Sequence, residues 1–90
     1  MKIEVKKFGD ILTSRPAGRD AGLAMKAYFR PKANERIELD FAGVLSVGPS
    51  WLDEVLTILR EEFGEKRVVC LPSDNVSVIE SMRAIVRGNA

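Results

Sequence analysis

The chain has 90 residues, 46% hydrophobic and 30% charged, which suits one domain with a single modest core. Its 14 basic and 13 acidic residues leave a net charge of +1, which excludes the surplus of basic charge that nucleic-acid or anionic-membrane binding needs. There is no histidine, so the commonest general base and zinc ligand is missing, and the single cysteine, Cys70, excludes an intrachain disulfide.

Residues 2–6 alternate polar and apolar, with Ile3 and Val5 on one side, and predict a half-buried strand. Phe8, Ile11 and Leu12 continue extended structure past a Gly9-Asp10 turn, as a short hairpin or bent strand. Thr13 or Ser14 caps the first helix, and Pro16 fits its first turn because the missing N–H would be unpaired there anyway. Ala17, Ala21, Ala24, Met25, Tyr28 and Phe29 share its apolar face, and Pro31 ends it. Gly18 and Gly22 have the spacing of membrane helix pairs, a signal given no weight here beside Arg19 and Asp20.

Arg36 to Phe41 is the second long strand, and Val44, Leu45 and Val47 extend it past a turn or bulge at Ala42-Gly43. The second helix runs from Pro49 to about Phe63 and stops at Gly64. Its core stripe is Leu52, Val55, Leu56, Leu59 and Phe63, widened by Trp51 and Ile58, with Asp53, Thr57, Arg60 and Glu61 facing water. Arg67 to Leu71 is a continuous apolar run, expected of a central strand covered on both faces. Cys70 lies in it as a buried, inert thiol; a reactive one needs an electropositive, partly exposed setting. Pro72-Ser73-Asp74 caps the third helix, whose apolar face is Val76 or Val78, Ile79, Met82, Ile85 and Val86, with Arg83 and Arg87 in its last turns and Gly88-Asn89 at its end.

This order predicts one α/β domain over 1–90: a small, mostly parallel sheet with three helices, connected as β-α-β-α-β-α after an N-terminal strand or hairpin. In such units every helix starts at the carboxyl end of a strand, so Ser14-Arg15, Gly48-Pro49-Ser50 and Ser73-Asp74 are expected on one rim with Asp40. That rim suits an anion. It contains no nucleophile–base pair, so the expectation is a non-enzyme with no cofactor and no metal. Ser14, Ser73 and Asp74 are plain caps or parts of a site; Asp40 bonds the following turn or acts as an acid–base group. Arg15 binds an anion or pairs with Asp40 or Asp74. Trp51 is core, or an anchor for a partner. No apolar run approaches the ~20 residues that span a bilayer, and residues 1–7 carry no apolar signal region, so a cytoplasmic location is expected.

Leu39-Asp40-Phe41 followed by Gly48-Pro49-Ser50-Trp51-Leu52 resembles the central segment of STAS domains, the sulfate-transporter and anti-sigma-factor-antagonist group. More closely, Phe8-Gly9, Ser14-Arg15, Leu39-Asp40-Phe41 and Ser50-Trp51-Leu52-Asp53-Glu54 resemble, in that order, a STAS-like family of unknown function from bacteria and archaea; the resemblance covers residues 3 to about 71. It implies a mixed sheet with helices mainly on one side, and a regulatory, protein-binding role. In the antagonist branch a serine before the second helix is phosphorylated by a GHKL-type kinase that is also the anti-sigma factor. Here Gly48 replaces the turn aspartate and Pro49 takes the place of that serine, leaving Ser50 as the local hydroxyl.

The function expected is therefore a non-enzymatic interaction module that meets a GHKL-type kinase or other signalling protein through Ser50, Trp51, Asp53 and Glu54. The alternative is a domain for a small ligand or nucleotide, held on the rim of Ser14, Arg15, Asp40, Gly48 and Ser73. Pairing of the edge strand between copies, giving a homo-oligomer, is a further expectation.

Overall fold

Short strands and three helices alternate along the chain in the computed structural model, which describes residues 1–88. β1 (Lys2–Glu4) passes through a single-turn 3-10 segment (Val5–Phe8) to β2 (Ile11–Leu12) and α1 (Arg15–Tyr28). β3 (Ile37–Asp40), β4 (Ser46–Val47) and α2 (Pro49–Phe63) follow; a 3-10 turn (Glu65–Arg67) then leads into β5 (Val68–Cys70) and α3 (Val76–Gly88). β1, β3 and β5 form a parallel sheet in the order β1-β3-β5, with Ile3 opposite Leu39 and Leu39 opposite Cys70. β2 and β4 form a separate parallel ladder, with Leu12 opposite Val47. The α/β class and the three helices are as expected, and every strand pair among the described residues is parallel.

The sheet has one covered face. Ile3, Ile37, Leu39 and Val68 point into the core beneath the helices, while Lys2, Glu4, Glu38 and Asp40 alternate onto the open face. β5 is thus an edge strand covered on one side, not the central strand its apolar run predicts; β3 is central, and Val69 sits half-buried on the open face. Val5 is core, but in a 3-10 turn, and Phe8 lies there too.

Nor does β4 extend β3. The Asp40 carboxylate accepts the Ala42 N–H (3.0 Å), Val44 N–H bonds Phe41 O (3.1 Å), and Gly43 takes φ 85°, a left-handed value that suits glycine. That turn carries the chain out of the sheet, and the N–H groups of Leu45 and Ser46 both bond Asp10 O, seating β4 on β2.

Ser14 caps α1, its hydroxyl accepting the Ala17 N–H. The buried face of α1 is Gly18, Ala21, Gly22 and Met25, whereas Ala17, Ala24 and Tyr28 are exposed. The face rotates because α1 lies against α2. A Cβ at Gly18 would stand 2.5 Å from Trp51 O, and one at Gly22 would stand 2.9 Å from the Ile58 Cδ1. The paired glycines therefore do bring two helices together: close backbone approach needs no lipid.

α2 runs as its sequence predicts. Trp51, Leu52, Val55, Leu56 and Leu59 are buried, and Gly64 takes over at its end. α3 is capped by Asn75, not by Ser73-Asp74. The Asn75 carboxamide oxygen accepts from the Ser77 N–H (2.9 Å) and hydroxyl (2.6 Å), and Ser73 only braces the Asn75 N–H. Val78 is the fully buried residue of α3, with Met82 and Ile85 packed on the core and Val76, Ile79 and Val86 exposed. Asn89, expected at its end, lies outside the described residues.

One clamp ties the layers together. Arg67 donates to the carbonyls of Lys32 (2.7 Å), Glu35 (3.0 Å) and Phe63 (3.2 Å), joining the entry of β3 to the end of α2. Beside it, the Lys32 N–H and the Met1 amino group hold the Glu35 carboxyl below the usual carboxylate range. No helix among the described residues is long and apolar enough to cross a membrane.

Candidate functional site

The small β2–β4 ladder launches α1 and α2 side by side. Gly48 N–H donates to Leu12 O (2.8 Å), and Gly48, the residue before α2, leans on Thr13, two residues before α1. α3 is fastened to the same ladder. Ser77 accepts the Val47 N–H (3.0 Å), Ser81 donates to Val47 O (2.8 Å), and the Asn75 amide donates to Val44 O and Leu45 O. All three helix starts therefore meet around β4, the arrangement the strand–helix alternation implies.

Within that corner the predicted residues sort into two groups. Arg15 does not reach Asp40 or Asp74. It bridges Asp53 (3.2 Å) and Glu54 (3.1 Å), tying the first turn of α1 to the second turn of α2. Hydrogen bonds to Glu54 and then Asp53 raise the guanidinium above its ordinary pKa. Asp53, read as a free water-facing acid, is thus engaged. Asp40 belongs to the other group. Besides capping its own turn it lies 3.7 Å from the Lys2 ammonium, and with Ala42, Pro72, Ser73 and Asp74 it lines an open hollow of about 490 Å³ at the end of the three-stranded sheet.

Trp51 is 1% exposed, so its indole belongs to the core and offers nothing to a partner. Its neighbour Ser50 is half-buried in the first turn of α2, and Gly48 supplies no side-chain cap there. Leu39-Asp40-Phe41, which ends β3, and Trp51-Leu52-Asp53-Glu54, which opens α2, both fall in residues 25–71, the stretch that matches the model of a family described as a STAS-like domain of unknown function.

The chain belongs to that family. Phe8-Gly9 and Ser14-Arg15 precede the matched stretch, which is shorter at its start than the resemblance read from the motifs. No curated protein and no solved structure matches the chain at a significant level.

In this STAS-like domain the predicted cation of the corner is paired rather than free. Arg15, the rim cation, is already matched by two carboxylates. Among the described residues no three His, Cys, Asp or Glu side chains are grouped to hold a metal ion. Cys70 is mostly buried, and desolvation pushes its thiol up to about 11, with the nearby Arg60 charge opposing, so it is a poor nucleophile at neutral pH.

What residue-by-residue reading of the STAS-like domain missed is apolar. Ile11 (69% exposed), Leu45 (70%) and Val76 (71%) lie on or beside the β2–β4 ladder. The backbone links them: Leu45 N–H bonds Asp10 O, and Asn75, just before Val76, holds Leu45 O. Ile11 and Leu45 look like core strand residues in sequence. The register that turns Leu12 inward faces Ile11 out, and Leu45 precedes β4, where its N–H and that of Ser46 share Asp10 O and the strand alternation does not hold.

Proposed function

We propose that this STAS-like domain is a non-enzymatic regulatory module that docks a protein partner on the surface around Ser50. The observation that carries this is the set of exposed apolar side chains Ile11, Leu45 and Val76 around β2 and β4, the strand that leads into α2. Grouped apolar residues on a surface otherwise mixed in charge mark an interaction site. The partner class that the resemblance implies is a GHKL-type kinase or another signalling protein.

A phosphate on Ser50 would meet the unpaired N–H groups and positive end of α2. Arg15 offsets one of the two charges on Asp53 and Glu54, which lowers their repulsion of such a group. The same pairing weakens the small-anion alternative, because the rim arginine is not free.

The test uses surface variants, since Trp51 is core. Leu45→Asp and Val76→Asp are expected to weaken binding of the cognate kinase, read by isothermal titration, by about tenfold or more with melting unchanged. Ser50→Glu is expected to shift that affinity as well. Unaltered affinity in all three variants would show that the partner binds elsewhere. A thermal-shift series with nucleotides and phosphate tests the alternative, which needs a rise in melting temperature.

A further inference from the structure

Among the described residues no strand pairs with one side of the β1 backbone. Met1 O accepts the Glu38 N–H at 2.8 Å, so Met1, Ile3 and Val5 turn their peptide groups toward β3. The peptide groups of Lys2 and Glu4 consequently point away from the sheet, along an open edge. Their side chains, both on the open face, are 57% and 59% exposed. Against the same edge lies an apolar hollow of about 480 Å³, walled by Phe8, Ala24, Tyr28 and Phe29 and bordered by Lys2 and Glu4. Tyr28, 81% exposed, stands edge-on to Phe29 with ring centroids 5.3 Å apart.

We propose that this edge is occupied by a second copy of the chain, β1 pairing antiparallel with β1 across a twofold axis at Ile3. The charge order of the strand selects that occupant and that register. With Ile3 on the axis, Lys2 faces Glu4 of the partner subunit and Glu4 faces Lys2 of the partner subunit, on one face of the sheet. Opposite charges then meet at both positions, and the outward peptide groups of the same residues exchange hydrogen bonds. An axis at Lys2 would set two lysines against each other, and one at Glu4 two glutamates, each unfavourable.

The contact is isologous and closes at two subunits. It makes one continuous sheet with the helices of both copies on the same side.

Sedimentation equilibrium of the full chain over about 1–200 μM tests the pairing. A dimer is expected. Lys2→Glu and Glu4→Lys alone each place like charges at both contacts and are expected to raise the dissociation constant by about tenfold. Mixing the two single variants in equal amounts restores opposite charges and is expected to recover the dimer, as is the double variant. Both side chains are exposed, so circular dichroism should show an unchanged fold. A wild type that stays monomeric overturns the proposal, as do single variants that dimerise like wild type or a mixture that fails to recover. Leu45→Asp, which disables the proposed partner surface, is expected to leave the dimer intact, so failure of one idea is separable from failure of the other.

Discussion

Gly18 shows how much one absent methyl decides. A Cβ there would meet backbone of α2, 2.5 Å from Trp51 O and 2.8 Å from Trp51 Cα, and neither atom can swing aside. At Gly22 the obstacle is the tip of Ile58, 2.9 Å away, which can rotate. Gly18→Ala is therefore expected to destabilise by about 2–3 kcal/mol through overpacking, lowering the melting temperature by roughly 10–20 °C for a domain of this size. Gly22→Ala should cost about 1 kcal/mol or less, because better helix propensity offsets part of the strain. Thermal melts of the two variants check the ranking; equal losses would contradict the seam. Cys70 gives a pH signature. Burial raises its pKa to about 11 from an ordinary value near 9, so the folded state favours the neutral thiol. That contribution is complete below the unfolded pKa and disappears as pH rises through the folded one. Stability should fall by roughly 2 kcal/mol between those values, and Cys70→Ala should flatten the decline. Denaturant melts from neutral to alkaline pH measure both slopes.

Elements were legible in sequence where one signal acted alone. α2 has Pro49 at its start, an unbroken apolar stripe and Gly64 at its end, and its bounds follow directly. For α1 the bounds are legible and the face only in part: Ala21 and Met25 are buried as expected, but Gly18 and Gly22, whose spacing carries no weight in sequence, complete the contact surface because the partner there is a helix backbone. The Ala42-Gly43 turn and the Asp40 bond to it are legible in sequence, but periodicity cannot show that this turn carries the chain out of the sheet, so that β4 pairs β2 instead of extending β3. The α3 cap falls at Asn75, just after the expected Ser73-Asp74, because Ser73, Asp74 and Asn75 are all good caps, and only the anchoring of Asn75 on Val44 and Leu45 chooses among them. The start of α2 offers a sharp comparison between adjacent residues. Trp51→Ala removes a fully buried ring and is expected to cost about 3–5 kcal/mol. Ser50→Glu places negative charge at the positive helix end and should change stability by no more than about 0.5 kcal/mol. Chemical denaturation distinguishes them. A mild Trp51→Ala would mean that the indole is not core.

At the scale of the molecule, the site was legible as a gathering of helix starts and illegible in its pairings. That Arg15 meets Asp53 and Glu54 depends on α1 lying beside α2, a relation between helices that no single-strand or single-helix pattern encodes. The position of α3 has a further consequence. α1 and α2 share a close backbone seam over Gly18 and Gly22, whereas α3 is held by Val78, by Met82 and Ile85 at the core margin, and by polar links from Asn75, Ser77 and Ser81 to β4. Polar links are each worth about 1 kcal/mol net, less than buried apolar side chains. α3 should therefore open at lower free energy than the α1–α2 pair, as a separate cooperative unit. Native-state hydrogen exchange is expected to show amides of residues 80–86 exchanging faster than those of 52–59. Asn75→Ala removes the cap and two carbonyl bonds and should widen that gap by about tenfold in exchange rate, with little change in α2. If Asn75→Ala instead speeds exchange equally in α2 and α3, the three helices open as one unit, and the β4 anchor holds the whole fold rather than its last helix.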